Sequence, residues 1–187
     1  MGDMQPAAGS LLIASATLVD PNFARCVLVI LESNDDGSLG VILNQPSETP
    51  VDEVLDQWRD VVNPPGVLFR GGPVELNAAL AIGTVVSADD PPLGLRQVSV
   101  SLGMVDLDGS PDDLLGLLDG LRIYAGYAGW GSGQLDAELA EGSWHVVPAQ
   151  AGDLFSDRPD RLWRNILRRQ PPPLSMLATL PEDSSLN

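Results

Sequence analysis

The feature that most constrains this chain is a pair of apolar runs that do not alternate with polar residues. Residues 26–31 and 39–43 consist almost entirely of aliphatic side chains, and the polar segment between them contains Asp36-Gly37. An Asp-Gly pair between two apolar runs is typical of a β-hairpin turn. A strand that is apolar on both faces has to be covered on both faces. The sequence therefore predicts a hairpin buried between two layers of other elements.

Further short apolar segments, rich in Val and Ile and bounded by turn-forming residues, predict more strands. Helices do not alternate strictly with these segments, which disfavours a doubly wound parallel sheet. We therefore predict an α+β fold with a mixed sheet that contains hairpins. The additional strands are expected at residues 11–13, 67–69, 79–83, 98–102, 121–125 and 144–147.

The start of a helix is signalled at three positions. Thr49 precedes Pro50 and Ser110 precedes Pro111, so each hydroxyl residue can cap a helix whose first position is a proline. A third helix is predicted from about Asp157, because apolar residues then recur at helical spacing. Its apolar stripe consists of Leu162, Trp163, Ile166 and Leu167.

Length and cysteine content set the expected organisation. A chain of 187 residues that is 44% hydrophobic is long enough for one domain, expected over 1–187 with a flexible N-terminus at 1–8. The three prolines at 171–173 are expected to end the third helix and to start an extended tail over 171–187. Cys26 is the only cysteine, which fits a reducing cytosol, and no apolar run is long enough for a membrane span. We expect a cytoplasmic protein.

The distribution of charge is uneven along the chain. The net charge of −16 arises from 26 acidic residues and 10 basic ones, all of them arginine. The absence of lysine excludes Schiff-base catalysis by lysine, and strong acidity makes direct binding of nucleic acid unfavourable. Residues 1–157 carry a net charge of −18, whereas residues 158–169 carry +4. Helical spacing places Arg161, Arg164 and Arg168 on one face, which either contacts a partner or docks on the protein's own acidic surface.

Four motifs in order resemble those of the bacterial YqgE/AlgH family. Residues 9–14 and 18–23 resemble its opening motif, 36–46 its second, 71–74 its third, 126–135 its fourth, and 177–181 its close. The resemblance implies an α+β fold in which a largely antiparallel sheet curls into a pseudo-barrel with flanking helices. It also implies the family's label of transcriptional regulator, which specifies no mechanism. Gln45 and Ser33 stand where the family often has Arg and His, so no role of those residues is carried over.

The Gly-rich run at residues 126–133 is predicted to be a loop between a strand and a short helix capped by Ser132. That topology is typical of a phosphate cradle. The glycine spacing nevertheless fails the dinucleotide-binding pattern, since residues 134 and 136 are Gln and Asp. The alternatives are a structural turn and a site for a ligand or partner. The candidate contact residues of this run are Gly129, Trp130, Gly131, Gly133 and Gln134.

Other chemical signals are weaker. Residues 32–37 resemble the start of a calcium loop, but the position of its bidentate carboxylate is Leu43. Cys26 and His145 are each unique and could form a nucleophilic pair, although both fall in predicted strands, which favours structural roles. Cys and His are too few for a classical zinc site. We therefore predict no cofactor, no metal and no catalytic residue.

Turn-forming and amide residues complete the candidate set. Asp20, Asn22, Asn44, Gly71 and Gly72 fall in turns that could line a polar cleft. We predict a non-enzymatic binding or regulatory module whose partner is an unknown protein or a small ligand. The alternative is an enzyme or small-ligand binder acting on an anionic ligand at the run 126–133, and a third possibility is a nucleic-acid-associated regulator that works through the arginine face.

Overall fold

Ten β-strands dominate the computed structural model, which describes residues 5–86 and 91–181. Nearly all of their pairings are antiparallel, and only β5 and β9 pair in parallel. The predicted hairpin is confirmed, with Asn34 opposite Gly37 at its turn. The strands are β1 (Leu11–Ala14), β2 (Val27–Asn34), β3 (Gly37–Ile42), β4 (Pro46–Pro50), β5 (Val67–Arg70), β6 (Val74–Val85), β7 (Leu95–Gln97), β8 (Leu102–Val105), β9 (Leu118–Gly131) and β10 (Trp144–Val147).

Helices are short, apart from the predicted basic one. They are α1 (Val51–Val54), α2 (Gln134–Ala140), α3 (Pro159–Arg168) and α4 (Leu174–Leu177), with single 3₁₀ turns at Asp56–Trp58 and Pro111–Leu114. Ser110 caps the second of these turns, since its Oγ accepts a hydrogen bond from the Asp112 N–H at 3.3 Å. The predicted cap at Thr49 is wrong, because Thr49 lies within β4 and the residue that directly precedes α1 is Pro50.

Strand β9 joins the two halves of the sheet. Its C-terminal end pairs with β3, in the order β10-β1-β2-β3-β9, and its longer N-terminal part pairs with β6, in the order β9-β6-β8-β7. Strand β5 also pairs with β9, at Phe69 opposite Tyr124, and carries β4 at its other edge. A sheet that divides at one long strand curls on itself. The predicted α+β fold with a curled, largely antiparallel sheet is confirmed.

Both faces of the hairpin are covered, as its apolar pattern predicts. Val27, Val29 and Val41 point into the main core, which α3 closes. Their neighbours Leu28 and Ile42 point to the opposite face, where α2 covers a second core. A third core lies beneath the segment 51–58, where Trp58 is completely buried. Each large aliphatic side chain buried in this way contributes about 1.5–3 kcal/mol.

Three local predictions differ from the structure. The strand expected at 98–102 is instead a turn between β7 and β8, because the N–H groups of Val98 and Ser99 both donate to the carbonyl of Leu102. The loop expected from 126 onwards begins only after Gly131, since pairing with β3 extends β9 to that residue. The tail predicted to be extended contains α4, because Leu174 and Leu177 pack against the main core. Residues 182–187 of that tail lie outside the described residues.

Candidate functional site

The site begins at a turn that places Arg25 in a left-handed backbone conformation. Arg25 has φ of 54°, which is rare for a residue with a Cβ atom. The side chain of Asn44 bridges this turn: its Nδ2 donates to the Arg25 carbonyl at 3.0 Å, and its Oδ1 accepts from the Val27 N–H at 2.9 Å. Such strained residues persist where surrounding contacts fix them, and they cluster at functional sites. The Asn44 amide is therefore a positioning group for Arg25.

The guanidinium of Arg25 lies over the indole of Trp163, with 4.9 Å from Cζ to the ring centroid. This cation–π contact holds the arginine against α3. A groove of about 660 Å³ opens between the two. It is lined by Arg25, Asn44, Pro159, Asp160, Arg161, Trp163, Arg164, Asn165 and Arg168.

Helix α3 presents its arginines because its opposite stripe is buried. The predicted stripe is confirmed, since Leu162, Trp163, Ile166 and Leu167 are all at most 3% exposed. The Nε1–H group of Trp163 donates to the Ala14 carbonyl at 2.9 Å, which fixes the helix to β1. With that stripe against the core, the arginines of the other face line the groove.

In the described part of the chain, one acidic side chain lines the groove, and a segment of the chain's own backbone lies at its rim. Asp160 is bound by Arg158 through two hydrogen bonds, which lower the pKa of the Asp160 carboxyl, and its Oδ2 lies 3.8 Å from Arg161 Nε. At the rim, the Leu180 carbonyl accepts from Arg164 at 3.1 Å, and the Pro181 carbonyl accepts from Arg25. Among the described residues that line the groove, four are arginines and one carries a carboxylate, so this lining is cationic.

Several arginines of the basic stretch pair with the protein's own acidic residues, and these include Arg161 of the predicted face, which pairs with Asp160. Arg169 makes a two-pronged ion pair with the largely buried carboxylate of Asp153, at 2.5 and 2.7 Å. Arg158 pairs with Asp160. Within residues 5–86 and 91–181, Arg168 forms no ion pair. Pairing with the protein's own acidic residues thus involves Arg158, Arg161 and Arg169, and a partner contact by the arginine face stays a prediction.

The structure brings together candidates that are far apart in sequence. Asn44, Arg161, Arg164 and Arg168 all line the groove. Asp20 and Asn22 belong to the loop that leads into Arg25. Asn22 donates its N–H to the Asp20 carboxylate at 2.8 Å, and its carbonyl accepts from the Gln45 side chain at 2.9 Å. Sequence reasoning misses Arg25, because its left-handed backbone conformation is fixed by Asn44, which is distant in the chain.

Gly71 and Gly72 lie away from the groove and have a steric role. A Cβ atom on Gly71 would lie 2.2 Å from the Gly126 carbonyl oxygen, and one on Gly72 would lie 2.2 Å from the carbonyl of Tyr127. Gly126 itself has φ of 72°. The third and fourth motifs thus meet where two backbones approach too closely for a side chain. A binding role for Gly71 and Gly72 stays a prediction.

The Gly-rich run does not form an open phosphate cradle. Gly129 and Gly131 are paired with β3, and the Gly131 N–H donates to the Gln134 Oε1 at 3.0 Å. The predicted cap at Ser132 is wrong: its hydroxyl donates to the Asp35 carbonyl, and Gly133 with φ of 70° precedes α2. Gly129, Gly131, Gly133 and Gln134 are nevertheless exposed, so a partner contact there stays a prediction.

The indole of Trp130 is hydrogen-bonded to the carboxylate of Glu138. Its Nε1–H and that of Trp144 both donate to the same oxygen of Glu138, at 2.9 and 2.8 Å, and Gln134 donates to the other oxygen. The two indoles meet edge to face at 5.9 Å. This cluster fastens α2 to the sheet, and it accounts for Trp130 as a packing residue.

Cys26 and His145 cannot approach each other. Cys26 shares the α2 side of the sheet with Ala14 and Trp144, whereas His145 lies opposite Ile13, whose side chain points to the α3 side. Burial raises the pKa of the Cys26 thiol and lowers the pKa of His145. Across the described ranges, no three His, Cys, Asp or Glu side chains are grouped as a metal site requires.

The bridging role of Asn44 makes a prediction about stability. Asn44→Ala removes two hydrogen bonds that fix a strained turn, and we expect a loss of about 1–3 kcal/mol in the free energy of unfolding, measured by urea denaturation. Asn77→Ala, at an exposed position of β6, is the matched control and should change it by less than about 0.5 kcal/mol. Equal effects of the two substitutions would contradict the role of Asn44.

The fold and the groove together define an α+β protein with an arginine-lined groove. A family model described as AlgH-like (DUF179) matches residues 11–175, and the chain therefore belongs to the AlgH-like family. Its relatives include a UPF0301 protein of Streptomyces avermitilis, 48% identical over 190 residues, which covers 100% of this chain and 98% of the relative. Another, from Mycobacteroides abscessus, is 48% identical over 183 residues, covering 96% and 88%.

Solved structures agree with this assignment. The crystal structure of protein DIP2367 from Corynebacterium diphtheriae matches with a TM-score of 0.91 and 32% identity, covering 96% of this chain and 95% of that one. The solution structure of the AlgH protein from Pseudomonas aeruginosa matches with a TM-score of 0.66 and 28% identity, covering 98% and 100%. In the part of the chain that the structure describes, no helix has the length and apolar character needed to cross a membrane.

Proposed function

We propose that this chain is a non-enzymatic, cytosolic binding or regulatory module that holds an anionic ligand or partner in the arginine groove. One observation carries the proposal: in a chain with a net charge of −16, Arg25, Arg161, Arg164 and Arg168 line a single concave surface. Guanidinium groups recognise carboxylate and phosphate oxygens through paired hydrogen bonds. Like charges gathered in one groove repel one another, and a bound anion relieves that repulsion.

The regulatory part of the proposal concerns the kind of partner. The acidic surface outside the groove disfavours duplex DNA, whose non-specific affinity depends on many neutralised phosphates. A role in transcription, as the family label suggests, would therefore operate through a protein or a small anion. The groove is also preferred to the run 126–133 as the anion site, because the Gly131 N–H there is already bound by Gln134.

A thermal-shift titration with sodium pyrophosphate tests this function. A ligand at a hundred times its Kd stabilises the folded state by about 2.7 kcal/mol, which raises Tm by roughly 5–10 °C for a chain of this size. The triple substitution Arg161→Ala, Arg164→Ala and Arg168→Ala should abolish the shift, because alanine preserves the helix while three guanidinium groups are lost.

Two controls make the result specific. Arg59→Ala removes an exposed arginine outside the groove, and this variant should respond to pyrophosphate like the unchanged chain. Sodium chloride at the same ionic strength should cause no comparable shift, since it screens charge without occupying a site. An equal shift in the triple variant, or none in the unchanged chain, would refute anion binding in the groove.

A further inference from the structure

The rim of the groove already binds peptide backbone. Arg164 donates to the Leu180 carbonyl at 3.1 Å, and Arg25 donates to the carbonyl of the next residue, Pro181. Two consecutive carbonyls thus face arginines that stand on different elements. An extended peptide offers the same kind of acceptor, because polyproline II backbone makes no internal hydrogen bonds and leaves its carbonyls available.

The distance between Arg161 and Arg168 on α3 also matches a peptide in polyproline II conformation. Arg161 and Arg168 are seven residues apart on α3, which corresponds to about 10.5 Å along the helix axis. In polyproline II, side chains three residues apart share a face and are separated by about 9.3 Å. Two carboxylates three residues apart in polyproline II can therefore reach Arg161 and Arg168, since a flexible arginine side chain spans the small difference between the two distances. A β-strand alternates its side chains every two residues and cannot match this spacing as well.

We propose that the partner in the arginine groove is an acidic peptide segment in polyproline II conformation, with carboxylates three residues apart that pair with Arg161 and Arg168. This inference rests on the proposed anion-binding function and specifies its partner. Charge complementarity selects the segment, and the backbone carbonyls of Leu180 and Pro181 show the mode in which peptide meets the rim. The incoming segment lies beside residues 180–181 and along α3.

Two labelled peptides of equal charge and composition test the inference by fluorescence anisotropy. The first is Glu-Pro-Pro-Glu-Pro-Pro-Glu, and the second, Glu-Glu-Glu-Pro-Pro-Pro-Pro, has its carboxylates clustered. The spaced peptide makes one more arginine–carboxylate contact, so it should bind roughly tenfold more tightly. Arg168→Ala should remove this preference, and Arg59→Ala should leave it unchanged.

Pyrophosphate and oligothymidylate, measured as competitors of the spaced peptide, separate the possible failures. If pyrophosphate stabilises the protein but the two peptides bind equally or not at all, the peptide inference is wrong while anion binding stands. If neither pyrophosphate nor peptide binds, both proposals fall. Oligothymidylate that binds more tightly than the spaced peptide would identify a nucleic-acid groove and overturn the inference.

Discussion

Trp163→Ala is expected to cause one of the largest losses of stability in this protein, about 3–5 kcal/mol in the free energy of unfolding. The side chain is 3% exposed and packs in the main core. Its removal leaves a cavity and also deprives the Ala14 carbonyl of its indole donor. Urea denaturation followed by circular dichroism measures the change.

The control for this prediction lies in the neighbouring helix. Met176 in α4 is 66% exposed, so Met176→Ala should alter the free energy of unfolding by less than about 0.5 kcal/mol. Trp163→Phe keeps an aromatic ring beneath Arg25 but loses the hydrogen bond, and its effect should fall between the two. If Trp163→Ala were as mild as the control, α3 would not be anchored as described, and the groove would lose its fixed wall.

Gly72→Ala is expected to destabilise the fold by about 3 kcal/mol or more, because the new methyl group would collide with backbone. Its Cβ would lie 2.2 Å from both the carbon and the oxygen of the Tyr127 carbonyl. Backbone in the middle of a long strand cannot move aside as a flexible side chain can. Thermal and urea unfolding should both show the loss.

Gly66 provides the matched control, since a Cβ there would meet no atom within 4 Å. Gly66→Ala should leave stability unchanged or raise it by up to about 1 kcal/mol through reduced freedom of the unfolded chain. A tolerated alanine at Gly72 would mean that the contact between residues 71–72 and β9 is not required, and the steric explanation of these glycines would be wrong.

Much of the fold follows from local patterns. The non-alternating apolar runs predict the buried hairpin, and the stripe of Leu162, Trp163, Ile166 and Leu167 predicts α3, because both depend on the spacing of neighbouring residues. The division of the sheet at β9 cannot be predicted in this way. It depends on pairing with β3, β5 and β6, whose paired residues lie 33 (Val85 with Leu118) to 94 (Gly37 with Gly131) positions earlier in the chain.

The candidate site shows the same limit. Helical spacing alone places Arg161, Arg164 and Arg168 on one face, so that part of the groove is predictable. Arg25 is not, because its conformation depends on Asn44, which lies nineteen residues away. The start of the loop in the Gly-rich run is mispredicted for a related reason: pairing with β3 extends β9 to Gly131, and a distant pairing leaves no local signature.

The most direct test of the central claim follows the arginines themselves during a titration with pyrophosphate. Two-dimensional NMR resolves their Nε–Hε groups, and single Arg→Lys variants assign the signals. We expect saturable shifts for Arg25, Arg161, Arg164 and Arg168, with no comparable change for Arg59 and Arg96, which lie outside the groove. Shifts spread evenly over all arginines, or their absence from the four groove residues, would contradict an anion-binding groove.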